Sequence, residues 1–275
     1  MYDFTLSVFK NLLLGYQANG YIFQTFSQYL MDPKDKVVLL RYDIDKRPEN
    51  AIILARIQNS LGIRGSFYFR AVKSCMKREI IKEIASLGHE IGYHYENLAT
   101  VSRRSPFSKD ISKIYEKGIK DFDLHLKRFR EIVPIQTICM HGSPLSKFNS
   151  KDLWKKYDYS EFGIIGEPYI DLDFNEVFYL TDTGRRWDGH NVSLRDKING
   201  YQSVWTEKGM VFKSSFEILE ALNQQLLPQK IMMTFHPQRW NAMNLTWYSE
   251  LISQYCKNPL KRILVKIRDS KNTNS

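Results

Sequence analysis

Seven short apolar runs suited to β-strands, separated by stretches whose apolar residues recur every three to four positions, constrain this chain's fold more than any other feature. The runs are Val37 to Tyr42, Ser66 to Arg70, Glu90 to Tyr95, Ile135 to His141, Phe162 to Ile165, Val177 to Thr181 and Ile231 to Phe235. Between them, Ala51, Leu54, Ala55, Gln58 and Leu61 lead to Gly62, and Ile80, Ile81, Ile84 and Leu87 lead to Gly88, each glycine serving as a helix stop. A longer amphipathic stretch through Ile111, Ile114, Tyr115, Ile119, Phe122, Leu126 and Phe129 follows Ser105-Pro106, a pair suited to a cap and a first turn. Ser214-Ser215-Phe216-Glu217 reads as a capping box ahead of Leu219, Leu222 and Leu226. Strand followed by helix, repeated, calls for an α/β fold with a mostly parallel sheet covered by helices.

With 275 residues and no linker rich in Pro, Gly or Ser, the expectation is one domain, residues 1–275, closed or nearly closed as a barrel. Residues 182–213 break the rhythm, being rich in Gly, Asp, Arg and Trp, and are expected to form an irregular insert or lid. The stretch from Asn258 to Ser275 is basic and then polar, a composition expected to fray.

In parallel α/β architectures the chemistry sits at the carboxyl ends of the strands. The first predicted strand runs into Asp43-Ile44-Asp45, and side chains two apart on an extended chain share a face. Two carboxylates there repel unless a cation or a shared proton intervenes, which suits one as metal ligand and the other as base. The plain alternative is a pair of loop carboxylates capping the helix that starts near Pro48. His94, His141, Asp182 and His236 also fall at predicted strand ends, so three of the six histidines converge on one rim. Asp and neutral His are good ligands for zinc and similar ions, and three protein donors with an open position make a hydrolytic site. His125 lies in a helical pattern, His89 follows Gly88 where it would fix a turn, and His190 has no nameable partner. Cys139 shares the face of His141 but lies about 6 to 7 Å deeper at strand rise, which suits core packing.

RYDIDKRPENA, GSFYFR, LGHEIGYHYEN and MMTFHPQRW, in that order across residues 37–240, resemble the polysaccharide deacetylase family. The likeness is to a divergent branch, linked to surface-polysaccharide biosynthesis, that carries D-x-D. The resemblance implies a distorted seven-stranded (β/α) barrel and a metal-dependent hydrolase that removes an N-acetyl group from a sugar. It implies Asp43 as catalytic base, Asp45 and His94 as metal ligands, and His236 as general acid toward the leaving amine. Asp182 and Trp187 would tune the acid and line the sugar pocket, with Tyr93, Tyr95 and Trp240 as further stacking candidates. Two positions depart from the pattern. Leu98 stands where the family has its second metal histidine, and MHGSP offers His141 where the family presents an arginine. His141 would then either complete a rearranged metal site or partner Asp43, with Glu96 and Asn97 as other candidates for the missing ligand. The metal implied is zinc, with cobalt, nickel or manganese as alternatives. A carbohydrate-binding protein with a degraded site, or a different amide hydrolase, are the competing expectations.

The hydrophobic fraction of 43% is ordinary for a globular domain, and no apolar run approaches the ~18 residues of a membrane span. Three widely spaced cysteines, Cys75, Cys139 and Cys256, argue against a disulfide framework. The first twenty residues show no basic leader and no A-x-A site, so a cytoplasmic protein is expected. The net charge of +10 comes from Lys and Arg scattered over helices and concentrated after residue 256, away from the strand tips. No nucleic-acid-binding motif accompanies it, so no nucleic acid partner is expected. A basic surface would instead steer an N-acetylated, nucleotide- or lipid-linked glycan, or contact an anionic membrane peripherally.

Overall fold

The computed structural model describes residues 2–104, 110–143, 146–187, 201–242, 245, 247–254 and 259. Its strands are β1 (Ile22–Gln24), β2 (Val37–Ile44), β3 (Ser66–Phe69), β4 (Glu90–Tyr95), β5 (Ile138–Met140), β6 (Val177–Thr181) and β7 (Lys230–Phe235). Every pairing is parallel, in the order β5-β4-β3-β2-β7-β6. One edge of β2 is shared: β1 pairs with Val37 to Leu39, and β3 takes over from Arg41 to Ile44. The helices are α1 (Leu6–Ala18), α2 (Phe26–Met31), α3 (Pro48–Ser60), α4 (Arg78–Ser86), α5 (Asn97–Arg104), α6 (Ile111–Arg130), α7 (Pro168–Asp171), α8 (Tyr201–Glu207) and α9 (Ser215–Asn223). The result is the expected α/β architecture, a seven-stranded parallel sheet wrapped by helices and curled into a half-barrel. Among the described residues β5 and β6 are the free ends of the sheet and do not pair with each other. No helix among them is long and apolar enough to cross a membrane.

The period of two along each strand sorts side chains between two environments. Val38, Leu40, Tyr42, Ile44, Phe67, Phe69, Tyr93, Tyr95, Met233 and Phe235 join the large core under the helices. Val37, Leu39, Val177, Tyr179 and Met232 point the other way, into a smaller cluster inside the curl with Phe26, Leu172 and Phe174. Continuing that inner row toward the carboxyl ends brings Arg41 and Asp43 on β2, His94 on β4, Cys139 and His141 at β5, and His236 after β7. An apolar floor therefore carries a polar upper layer, and all strands deliver it to the same rim because all run the same way.

Six of the seven predicted strands are present, with one exchange. Phe162 to Ile165 is not a strand: a 3₁₀ turn at Tyr159–Phe162 ends in Gly163 at φ +66°, and only a single bridge, Thr137 to Gly166, joins this stretch to the β5 side. The strand that sequence periodicity does not reveal is β1, three residues long. Gly62 and Gly88 do end α3 and α4 with positive φ. Helix α6 is capped by Asp110, whose side chain accepts from Lys113 N, while Ser105 and Pro106 lie outside the described residues. At α9, Ser214 accepts from Glu217 N, but Glu217 bonds Lys213 N, so the reciprocal capping box is realised instead at α2 by Thr25 and Gln28. Within the irregular segment 182–213, residues 188–200, including His190, lie outside the described residues; so do Cys256 and, apart from residue 259, the basic stretch Asn258 to Ser275.

Candidate metal and catalytic site

β2 is buried along its whole length, yet its sequence VVLLRYDI carries two charges. An ionised group so placed needs a partner, and the strand supplies its own: Arg41 donates from Nε to Asp43 Oδ1 at 2.9 Å and from Nη2 to Asp43 Oδ2 at 2.7 Å. Both side chains are 2% exposed. Arg41 Nη2 also donates to the Tyr169 hydroxyl at 2.7 Å, with the Tyr169 ring 4.7 Å from the guanidinium carbon. Burial opposes ionisation of Asp43, but the Arg41 guanidinium, aided by His94, outweighs it and holds the carboxyl below its usual range.

Asp45 lies just past the strand, its amide donating to the Asp43 carbonyl at 3.1 Å. Three histidines gather on it. His94 Nε2 is 3.6 Å from Asp45 Oδ1 and 3.7 Å from Asp43 Oδ2, His141 Nε2 is 3.2 Å from Asp45 Oδ1, and His236 Nε2 is 3.8 Å from Asp45 Oδ2. The other ring nitrogen of each is occupied. His94 Nδ1 donates to the Cys139 carbonyl at 2.9 Å, His141 Nδ1 to Glu96 Oε2 at 3.2 Å and His236 Nδ1 to Asp182 Oδ1 at 2.6 Å. Each Nε2 therefore faces the cluster, because a hydrogen bond to the other ring nitrogen fixes the tautomer and aims the ring, as it does for metal-binding histidines.

Among the described residues, Asp45, His94 and His141 offer donor atoms all within 4.8 Å of one another, as do Asp43, His94 and Cys139. The first group fits a divalent cation. Asp45 Oδ1 is buried and faces the Nε2 atoms of His94 and His141. The His141 and Asp45 side chains are 17% and 21% exposed, so the group opens toward solvent at the rim. In the second group both Asp43 oxygens are already taken by Arg41 and the thiol sits deeper. The local electrostatics suit cation capture: burial pushes His94 down to about 4, keeping it neutral, while the His141 beside Asp45 overcomes burial and drives that carboxyl well below the usual range. Reciprocally, burial disfavours charged His141, but Asp45 and Glu96 raise it to about 9, a proton that a cation would displace.

Behind His236, Asp182 is fully buried and accepts from His236 N at 2.9 Å, from Trp240 Nε1 at 2.8 Å and from Arg239 Nη1. Arg239 Nη1 also lies 2.6 Å from His236 Nδ1. Burial and Arg239 work against protonation of His236, but Asp182 prevails and its pKa lies above the ordinary value.

The structure thus brings together Asp43, Asp45, His94, His141, Asp182, Glu96 and His236, and separates the rest. Tyr95 points away from His94 into the core, edge-on to Phe122 and Trp154. Trp187 is fully buried, donates to Ser215 Oγ at 2.9 Å and packs on Phe235 and Trp240, so among the described residues it belongs to the core. Asn97 accepts from the Tyr93 hydroxyl at 3.0 Å and donates to Asp121 at 2.7 Å, tying α5 to α6. Trp240 is likewise buried. Leu98 faces α6, where a Cβ on Gly118 would come within 2.8 Å of its Cδ2, so it occupies a helix contact. His89 accepts from Gly65 N and contacts the Ala55 carbonyl, fixing the turn as expected. Of the two roles open to His141, partner of Asp43 or member of the metal group, the geometry favours the second, since Arg41 already clamps Asp43. Arg41, Arg70 and Arg239, which contact Asp43, Glu96 and Asp182, are site components that sequence reasoning missed; for Arg41 the signal was present, a charge two residues before Asp43 on an otherwise apolar strand.

No protein-family model matches the chain, and no curated protein matches it. Solved structures similar to it include a CE4 esterase from Streptococcus mutans, at 12% identity and a TM-score of 0.42, covering 92% of this chain and 91% of that one. A mutant of the peptidoglycan deacetylase PdaC from Bacillus subtilis aligns at 14% identity and a TM-score of 0.38, over 84% of this chain and 98% of that one. A family 4 carbohydrate esterase from Bacillus anthracis aligns at 11% identity and a TM-score of 0.36, over 98% and 90%. With identities and TM-scores this low, the functional reading rests on the site itself.

Proposed function

We propose that the protein is a metal-dependent amide hydrolase that removes the N-acetyl group from a sugar of a surface polysaccharide or its precursor. The observation that carries the reading is the convergence of Asp45, His94 and His141 within 4.8 Å at the open rim, flanked by a clamped carboxylate and a carboxylate-backed histidine. Zinc suits these donors, with cobalt, nickel or manganese as substitutes, and would supply Lewis acidity toward a carbonyl oxygen and a lowered pKa for water. Asp43, oriented by two hydrogen bonds from Arg41, accepts the proton of the attacking water. His236, held by Asp182 at Nδ1, presents Nε2 to the same space and donates a proton to the departing nitrogen. The products are acetate and a free amine on the sugar. Glu96, Asp182 and Arg239 hold these groups in place. The buried thiol Cys75 fits a reducing compartment, and we place the protein in the cytoplasm, acting on nucleotide- or lipid-linked N-acetyl sugars, where a basic surface favours such anionic substrates.

Acetate release from such sugars by the zinc-loaded protein tests the reading. Wild type is expected to release acetate and Asp45→Ala to fall to background. Asp43→Asn and His236→Gln, each checked for native circular dichroism, should lose about 10²- to 10⁴-fold in rate. Activity unchanged in Asp45→Ala, or no acetate from any N-acetylated sugar, would overturn it.

A further inference from the structure

Arg70, at the carboxyl end of β3, touches the supports of two of the three metal donors without offering a donor atom itself. Its Nε donates to Glu96 Oε1 at 2.9 Å, Nη2 donates to the same oxygen, and Nη1 reaches the main-chain carbonyl of Asp45 at 3.5 Å. The other oxygen of Glu96 accepts from His141 Nδ1 at 3.2 Å and from Ser143 Oγ at 3.3 Å, with Arg103 Nη2 at 3.4 Å. The Asp45 carbonyl also accepts from Cys75 Sγ at 3.0 Å. Both Glu96 oxygens are thus spoken for, and Glu96 belongs to neither three-donor group among the described residues.

A histidine ligand is only as well aimed as the partner on its other nitrogen, and a planar guanidinium can hold two acceptors at fixed angles where an ammonium cannot. We propose that Arg70 and Glu96 form an outer brace that positions His141 and Asp45 for the metal and so sets the affinity of the site. They are positioning residues, not ligands. The proposal rests on the assignment of Asp45, His94 and His141 as the metal group.

The test is zinc affinity by competition with a chromophoric chelator, together with the visible spectrum of the cobalt-loaded protein. The variants are Glu96→Gln, Arg70→Gln, His141→Ala and the double variant Glu96→Gln/His141→Ala, each checked for native circular dichroism. Glu96→Gln and Arg70→Gln should each weaken zinc by about 10- to 100-fold and leave the cobalt bands in place, whereas His141→Ala should change them. In the His141→Ala background, measured at higher zinc, Glu96→Gln should add much less than it does in wild type, because the ring it aims is missing and only its hold on Arg70, and through Arg70 on Asp45, remains. Wild-type affinity in the folded Glu96→Gln and Arg70→Gln variants would overturn the brace while leaving the metal group standing. A cobalt spectrum altered by Glu96→Gln as by His141→Ala, or fully additive losses, would overturn it too, by making Glu96 a ligand. No zinc binding by the wild-type chain would overturn the metal assignment itself, and the brace with it.

Discussion

Arg41→Met leaves the Asp43 carboxylate 2% exposed in an apolar strand with its two charge-assisted hydrogen bonds gone. Such bonds are worth about 1.5 to 3 kcal/mol each, and removing one partner of a buried ion pair costs about 3 to 5 kcal/mol. The two routes agree, and the Tyr169 hydroxyl loses its donor as well. The double variant Arg41→Met/Asp43→Leu should recover most of the loss, because it extends the apolar row of Val37 and Leu39 on the same face. Equilibrium urea unfolding at pH 7, with chelator present so that metal binding does not contribute, measures both. The sign with pH follows from the direction of the shift. In wild type the Asp43 pKa is depressed, so the pair's contribution is present above the unfolded carboxyl pKa and lost as pH falls. In Arg41→Met the buried carboxyl gains by protonation, so the deficit should shrink toward pH 4. A cost below about 1 kcal/mol for the single variant, or a double variant no more stable than the single, would refute the argument that the pair is an obligatory buried unit.

Glu167 is fully buried, accepts from Met140 N and Tyr169 N, and is pushed by burial up to about 7. The folded state therefore keeps a proton that the unfolded state has released, and stability should fall by about 3 kcal/mol between pH 4.5 and pH 7 on this group's account. Glu167→Gln should flatten that part of the pH profile of urea midpoints; an unchanged slope would assign it elsewhere. At Gly92 an added Cβ would lie 2.3 Å from the Tyr68 ring and 3.0 Å from the Thr137 carbonyl, so Gly92→Ala should cost about 1 to 3 kcal/mol by thermal or urea unfolding. Leu98→His should lower stability and leave zinc affinity where it is, because residue 98 faces α6 rather than the donors; tighter zinc binding would contradict that placement.

The rim was legible because parallel strands and a period of two are both written in the chain: Asp43, Asp45, His94, His141 and His236 need only extended backbone and a common direction to meet. The apolar run Phe162 to Ile165 misled because burial alone does not make a strand, and Gly163 turns the chain there with positive φ. β1 escaped because its three residues pair only with the first half of β2, a tertiary fact with no local signature. Tyr95 reads from the sequence both as a sugar-stacking aromatic and as core filling; adjacent positions on a strand face opposite sides, and Tyr95 goes to the core for the same reason that His94 goes to the site. Arg239 and Trp240 converge on Asp182 from a turn after β7, and contacts of that kind depend on how the loop closes. The departure at Leu98 was legible too: the ring that joins Asp45 and His94 in one donor group is His141, one of the candidates the sequence offered, at the neighbouring strand end rather than on the next helical turn.

Calorimetric titration of the metal-stripped chain with zinc reads out whether Asp45, His94 and His141 hold one divalent ion. One equivalent should bind to wild type, and binding should be lost or greatly weakened in Asp45→Ala, His94→Ala and His141→Ala, each with native circular dichroism. No zinc binding by wild type, or unchanged binding in folded Asp45→Ala, would contradict it.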